Sequence, residues 1–117
     1  GAHLLENSRI TIMFCAFEGA PNILRLYGKG KEIKKGDSTW NDLIPLFPET
    51  PGTRQIFDIT IESVQTSCGM SIPFFDYKSE RNELNDWASI KGEKGIKQYW
   101  EDNNQKSIDG LPTKILK

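Results

Sequence analysis

Few side chains in this sequence could do chemistry beyond solubility and packing. Ser67-Cys68-Gly69 follows the end of an alternating run, where polar side chains and a glycine can meet a flat ligand. A nucleophilic Cys68 needs a neighbouring base. The single histidine, His3, stands far away in sequence, which disfavours a cysteine hydrolase, and its lack of a ligand partner disfavours a mononuclear metal site. Arg25 and Arg81 carry planar donor forks that suit a phosphate or the polar edge of a ring, with a surface ion pair as the plainer role. Lys29, Lys31, Lys34 and Lys35 make a local basic run, but Glu32 interrupts it and no aromatic platform is interleaved. A solvated strand edge that discourages pairing is therefore the expectation there. Gly28-Lys29-Gly30 lies inside a strand pattern and lacks the helix start that cradles a phosphate, so its role is read as structural. Cys15 and Cys68 have no CxxC spacing and read as reduced thiols rather than a zinc site or disulfide framework.

The chain that must position these groups has 117 residues, with 37% hydrophobic and 26% charged, the balance of one globular domain. Fifteen Lys and Arg against sixteen Asp and Glu give a net charge of -1, so no whole-chain field points to nucleic acid or an anionic membrane. The apolar stretches Ile10 to Phe17 and Ile72 to Phe75 are too short to span a bilayer. With no secretory pattern around Gly1, Ala2 and His3, a soluble cytoplasmic protein is expected.

Hydrophobic periodicity predicts three strands. Arg9 to Phe17 alternates with both faces largely apolar and ends at the turn Glu18-Gly19-Ala20-Pro21. Ile23 to Ile33 pairs back, with Leu24 and Leu26 inward and Gly28 and Gly30 on the same register, where a strand glycine signals a bend, a bulge or a close approach. Gln55 to Thr66 sets Phe57, Ile59 and Ile61 against Asp58, Thr60 and Glu62. Ile10, Ile12, Phe14, Leu24, Leu26, Phe57, Ile59 and Ile61 are expected in one core. Between the second and third strands, Asp37 or Ser38 caps a short helix carrying Trp40, Leu43, Ile44 and Phe47 on one face. A helix from Ser79 carries Leu84, Trp87 and Ala88 inward, and another uses Ile96, Tyr99 and Trp100. The fold class is mainly β with helices and antiparallel. Three strands cannot close a barrel, so further strands must come from a partner or from more chain.

The segment from Arg9 to Pro21 followed by Ile23-Leu-Arg-Leu-Tyr-Gly-Lys-Gly resembles the central hairpin of the pyridoxamine 5'-phosphate oxidase-like family, the split-barrel flavin binders. The strand Asp58 to Val64, Ser67-Cys68-Gly69, Pro73, Asp76-Tyr77, Arg81 and Ser107 to Pro112 resemble one uncharacterised branch of it. The resemblance implies a six-stranded antiparallel split barrel, a homodimer, and FMN in two clefts at the dimer interface. It implies as well that residues 1–117 form a single domain corresponding to the C-terminal two thirds of a longer one, whose preceding strands carry most phosphate-binding residues.

Carried over by position, the resemblance puts Ser67 where the family oxidases have a flavin-flanking tryptophan, with Cys68 and Gly69 next. Ile23 stands at their flavin-contacting glutamine, and their Arg-Leu-His-Asp-Arg segment has no counterpart beyond Arg81. The resemblance thus implies cofactor-binding roles for Ser67, Cys68, Gly69 and Arg81, and Arg25 joins them on its donor fork. Its departures point away from pyridoxal phosphate synthesis and towards a flavin reductase, another FMN-dependent oxidoreductase of unknown substrate, or a non-enzymatic dimeric flavin-carrying or ligand-binding module.

Overall fold

The computed structural model describes residues 1–116. A short helix α1 (Ala2–Glu6) leads into β1 (Arg9–Cys15) and β2 (Asn22–Lys34). Helix α2 (Trp40–Leu43), a single 3-10 turn (Ile44–Leu46), β3 (Gln55–Cys68) and helix α3 (Glu83–Asn103) follow. The three strands form one open antiparallel sheet in the order β1-β2-β3. All three predicted strands are present, with β2 and β3 each extending slightly beyond the alternating runs.

Cross-strand partners share a face of the sheet, so the register sorts the side chains. Phe14, Ile12 and Ile10 lie opposite Leu24, Leu26 and Gly28. Across β2 those three lie opposite Thr66, Val64 and Ile61. The pairing slips between Tyr27 and Gly28, leaving Glu62 as the extra residue of a bulge. Beyond the bulge, Gly30 and Glu32 meet Ile59 and Phe57. The expected apolar set therefore does share one face, but that face is not a closed core. Phe14 is 52% exposed and Val64, beside it, 59%. Only its far end is covered: α1 lies over Gly30, where an added Cβ would sit 3.1 Å from Leu4 Cδ1. The radius of gyration, 17.3 Å, exceeds the roughly 13 Å that compact domains of this length show, as expected when nothing folds over the rest of the sheet.

The packed core lies on the other face, contrary to the sequence expectation. Ile33, only 1% exposed, packs with Ile56 and Trp40, and Leu43 and Ile44 close around them. The physical reason is the tight return after β2. Asp37 N–H donates to Lys34 O at 2.9 Å, and Asp37 Oδ2 accepts from Lys34 N–H at 2.7 Å. That turn drops the amphipathic α2 back onto the end of the sheet. Asp37 closes the turn instead of capping the helix, whose N-cap is Thr39, and Phe47 points to solvent.

Helix α3 starts after Asn82, later than the expected Ser79. It is two helical runs joined at Gly92, whose φ of 64° and ψ of 173° only glycine adopts readily. Twelve residues of straight helix would separate Trp87 from Tyr99 by about 18 Å. Their ring centroids lie 5.1 Å apart, edge to face, so the runs fold back on each other as a hairpin. Ala88 and Ile96 are its buried residues, and both lie against Gly52 in the connector before β3. Leu84 is 72% exposed rather than inward, because the hairpin packs through its small Ala88 face.

Candidate functional site

The end of the β2/β3 ladder near Ser67 brings predicted site residues together. Ile23 lies opposite Ser67 and Arg25 opposite Gln65, all on the face away from Phe14 and Val64. Arg25 reaches diagonally and its Nη1–H donates to Ser67 Oγ at 2.8 Å. Two residues further along β2, the Tyr27 hydroxyl donates to Gln65 Oε1 at 3.0 Å. The result is a ladder of two polar cross-strand pairs, with Met13 and Thr11 of β1 flanking Arg25 and Tyr27.

Arg25 is half-buried, and no ion pair among the described residues includes it. Its charge is thus uncompensated by any carboxylate within salt-bridge distance. Gln65 and Tyr27 were not singled out by sequence. The signal was available in period two, since Gln65 precedes Ser67, and Tyr27 follows Arg25, by one strand repeat.

Gly69 is buried where the chain leaves β3, and an added Cβ would lie 2.7 Å from the backbone nitrogen of Asn22. Any larger residue would push the chain off the end of the sheet. Cys68 sits opposite Asn22, so strand alternation turns it to the Leu24 face while Ser67 faces Arg25. The thiol is free and exposed, and its Sγ accepts from Met70 N–H at 3.4 Å. Cys15 is free as well, and its position opposite Ile23 places it on the face that Ser67 uses.

Arg81 lies apart from this cluster, exposed in the extended segment before α3, and none of the hydrogen bonds or ion pairs of the described residues involves it. The structure therefore gathers Arg25, Ser67, Cys68 and Gly69 at one end of the sheet and leaves Arg81 outside.

β2 is the central strand, but β1 pairs with it only as far as Lys29, so the stretch from Lys31 to Lys34 is paired with β3 alone and its other side is an open edge, as the sequence expectation had it. Lys29 Nζ lies 3.3 Å from Glu62 and Lys35 Nζ 3.6 Å from Glu93. Lys34 Nζ lies 3.3 Å from the buried Glu32 carboxylate and donates to the backbone carbonyls of Thr113 and Lys114. Three of the four lysines are engaged in internal pairs, whereas Lys31 is exposed and has none among the described residues.

A hollow of about 560 Å³ lies elsewhere, over Ile10 and Gly28 between α1 and Glu62, and none of the five predicted site residues lines it. On its α1 wall, His3 Nε2 lies 2.9 Å from Asp109 Oδ2, and Ser107 Oγ donates to the same carboxylate. The Ser107 hydroxyl, with His3 next, holds the Asp109 carboxyl below the usual carboxylate range. No helix of the described residues is long and apolar enough to cross a membrane.

Over an alignment of 125 residues the chain is 30% identical to the pyridoxamine 5'-phosphate oxidase family protein ustO of Aspergillus flavus. That alignment takes in 94% of this chain and 50% of the relative, so the chain spans about half the length of the curated relative it matches. No protein-family model matches the chain, and no solved structure does. The open antiparallel sheet agrees with part of the fold that the sequence motifs implied. The chain is a distant homologue of this pyridoxamine 5'-phosphate oxidase family protein over the segment the two share.

Proposed function

We propose that this chain is the C-terminal part of an FMN-binding split barrel, working as a flavin-dependent oxidoreductase whose flavin ring lies at the Ser67 end of the sheet. The observation that carries this reading is the Arg25–Ser67 hydrogen bond beside Gly69. It supplies a charged, half-buried donor at a strand end where Gly69 packs directly against the Asn22 backbone. The residues fit the group. A flavin ring is flat, offers acceptors along one edge, and brings the redox chemistry itself, so the protein has to bind and orient it.

The uncovered apolar face of Phe14, Ile12, Leu26, Val64 and Ile61 supports the rest of the reading. Apolar surface of this extent is stable when another layer covers it, and further strands would close the sheet into a barrel. Pairing as a homodimer is the natural way to build a cleft against the Arg25 face, since a single sheet face offers a ligand contact from one side only. A non-enzymatic flavin carrier uses the same site without turnover.

The decisive experiment titrates FMN, followed by flavin fluorescence, into these 117 residues and into an N-terminally extended chain. Tight binding by the extended chain and weak binding by residues 1–117 is the expected result. FMN carries a phosphate, and each charge-assisted hydrogen bond to it is worth roughly 1.5 to 3 kcal/mol, so two such bonds change affinity by about a hundredfold or more. Failure of the extended chain to bind FMN overturns the reading. Reduction of the bound flavin by a nicotinamide donor separates an enzyme from a carrier.

A further inference from the structure

The polar ladder has a property that its separate residues do not reveal: it presents donors and hides acceptors. Arg25 uses one guanidinium N–H on Ser67 Oγ and keeps the others, with no carboxylate among the described residues within ion-pair distance of it. Gln65, directly opposite Arg25, has its Oε1 occupied by the Tyr27 hydroxyl, which turns the amide NH2 outward as two further donors. Ser67 accepts from Arg25 and so has its own O–H to offer. Three neighbouring side chains on one face thus present N–H and O–H groups from a flat sheet surface. The complement of such a surface is a planar group with a row of acceptors that can carry negative charge.

We propose that Arg25, Gln65 and Ser67 form the receptor for the pyrimidine edge of the flavin ring, and that Arg25 makes the bound flavin easier to reduce. This rests on the flavin reading above. When flavin takes up two electrons from an external reductant and one proton at N5, the added negative charge spreads over N1 and the C2 oxygen. A guanidinium at that edge interacts weakly with the neutral oxidised ring and strongly with the anionic reduced one. Differential interaction of this kind shifts the equilibrium towards the reduced form. Ser67 and Tyr27 act as positioning residues, one holding the guanidinium and the other the Gln65 amide.

The test measures the midpoint potential of FMN bound to the full-length protein, titrated with dithionite, in the wild type, Arg25→Met and Arg25→Lys. Arg25→Met should lower the preference for reduced over oxidised flavin by roughly tenfold, a fall of about 30 mV for a two-electron couple. Arg25→Lys keeps the charge and should hold most of the wild-type potential. Equal potentials in the wild type and Arg25→Met overturn this assignment and leave the flavin reading standing, whereas absence of FMN from the wild type overturns both. If Arg25→Met does not fold, Gln65→Leu carries the test by removing two donors from the same surface, and an unchanged potential there counts against the receptor equally.

Discussion

A Cβ placed on Gly28 would lie 2.2 Å from the carbonyl oxygen of Thr60, on the neighbouring strand. The bulge at Glu62 draws the two backbones together, and only a residue without a side chain fits beneath it. Gly28→Ala should therefore push β2 and β3 apart at the bulge, at a cost of about 1–3 kcal/mol, the usual range for overpacking. Chemical denaturation of the two proteins checks this, and loss of the Lys29–Glu62 pair should accompany it.

Lys34 holds the C-terminal segment to the sheet. Its side chain is 14% exposed, and that of its partner Glu32 is 3% exposed with Oε2 lacking a hydrogen bond. Lys34→Met should leave that carboxylate buried and unpaired, costing about 3–5 kcal/mol, and should free residues 113 and 114. The double variant Lys34→Met, Glu32→Gln should recover much of the loss, because the uncompensated charge is gone. Denaturation of both, with hydrogen exchange over residues 104–114, measures the two effects.

Acid should loosen the contact between α1 and the C-terminal turn. The Asp109 carboxyl is held below its ordinary range first by the Ser107 hydroxyl and then by His3. A carboxyl depressed in the folded state contributes stability above its unfolded value and loses it as pH falls through the folded one. The Asp109 carboxyl carbon should thus titrate by NMR with a midpoint below that of an unstructured aspartate. Ser107→Ala should move that midpoint upward, and exchange protection in α1 should fall over the same pH window.

Gly92 sets the fold-back of α3. Its backbone lies where other residues are strained by about 1–3 kcal/mol, although a side chain there would meet open space. Gly92→Ala should straighten the hairpin and separate Trp87 from Tyr99, visible as a change in the near-ultraviolet circular dichroism of the indole. Retention of the edge-to-face signal would show that packing of Ala88 and Ile96 on Gly52 dictates the fold-back instead.

The strands were legible because their apolar residues repeat at every second position, as in Ile10, Ile12 and Phe14. Glycines at positions 28 and 30 correctly marked close approach, one to Thr60 and one to Leu4. The location of the packed core was not legible, since the alternation of Phe57, Ile59 and Ile61 shows that a face is apolar without showing what covers it. The Arg25–Ser67 contact depends on a pairing register spanning 42 residues of sequence separation, and the Lys34 carbonyl contacts depend on a C-terminal segment 79 and 80 residues away returning to the sheet. Such distances are set by the slip at Glu62 and by the C-terminal turn, neither of which leaves a periodic trace.

The bulge at Glu62 also acts as a change of reading frame within a single strand. Before it, odd-numbered residues of β3 occupy the apolar side; after it, even-numbered ones do, so Ile61 and Val64 are neighbours in role although their numbers differ in parity. Ser67 and Gln65 reach the Arg25 side only because that frame has shifted. Straightening the bulge with Glu62 kept in the ladder would transpose the two surfaces from Ser63 to Cys68, presenting a thiol and Val64 to the Arg25 side and sending the hydroxyl and amide into the hydrophobic layer. Deleting Glu62 itself takes out the unpaired residue and leaves every pairing from Ser63 to Cys68 as it stands, so loss of that one residue should be tolerated where loss of a paired neighbour in β3 is not.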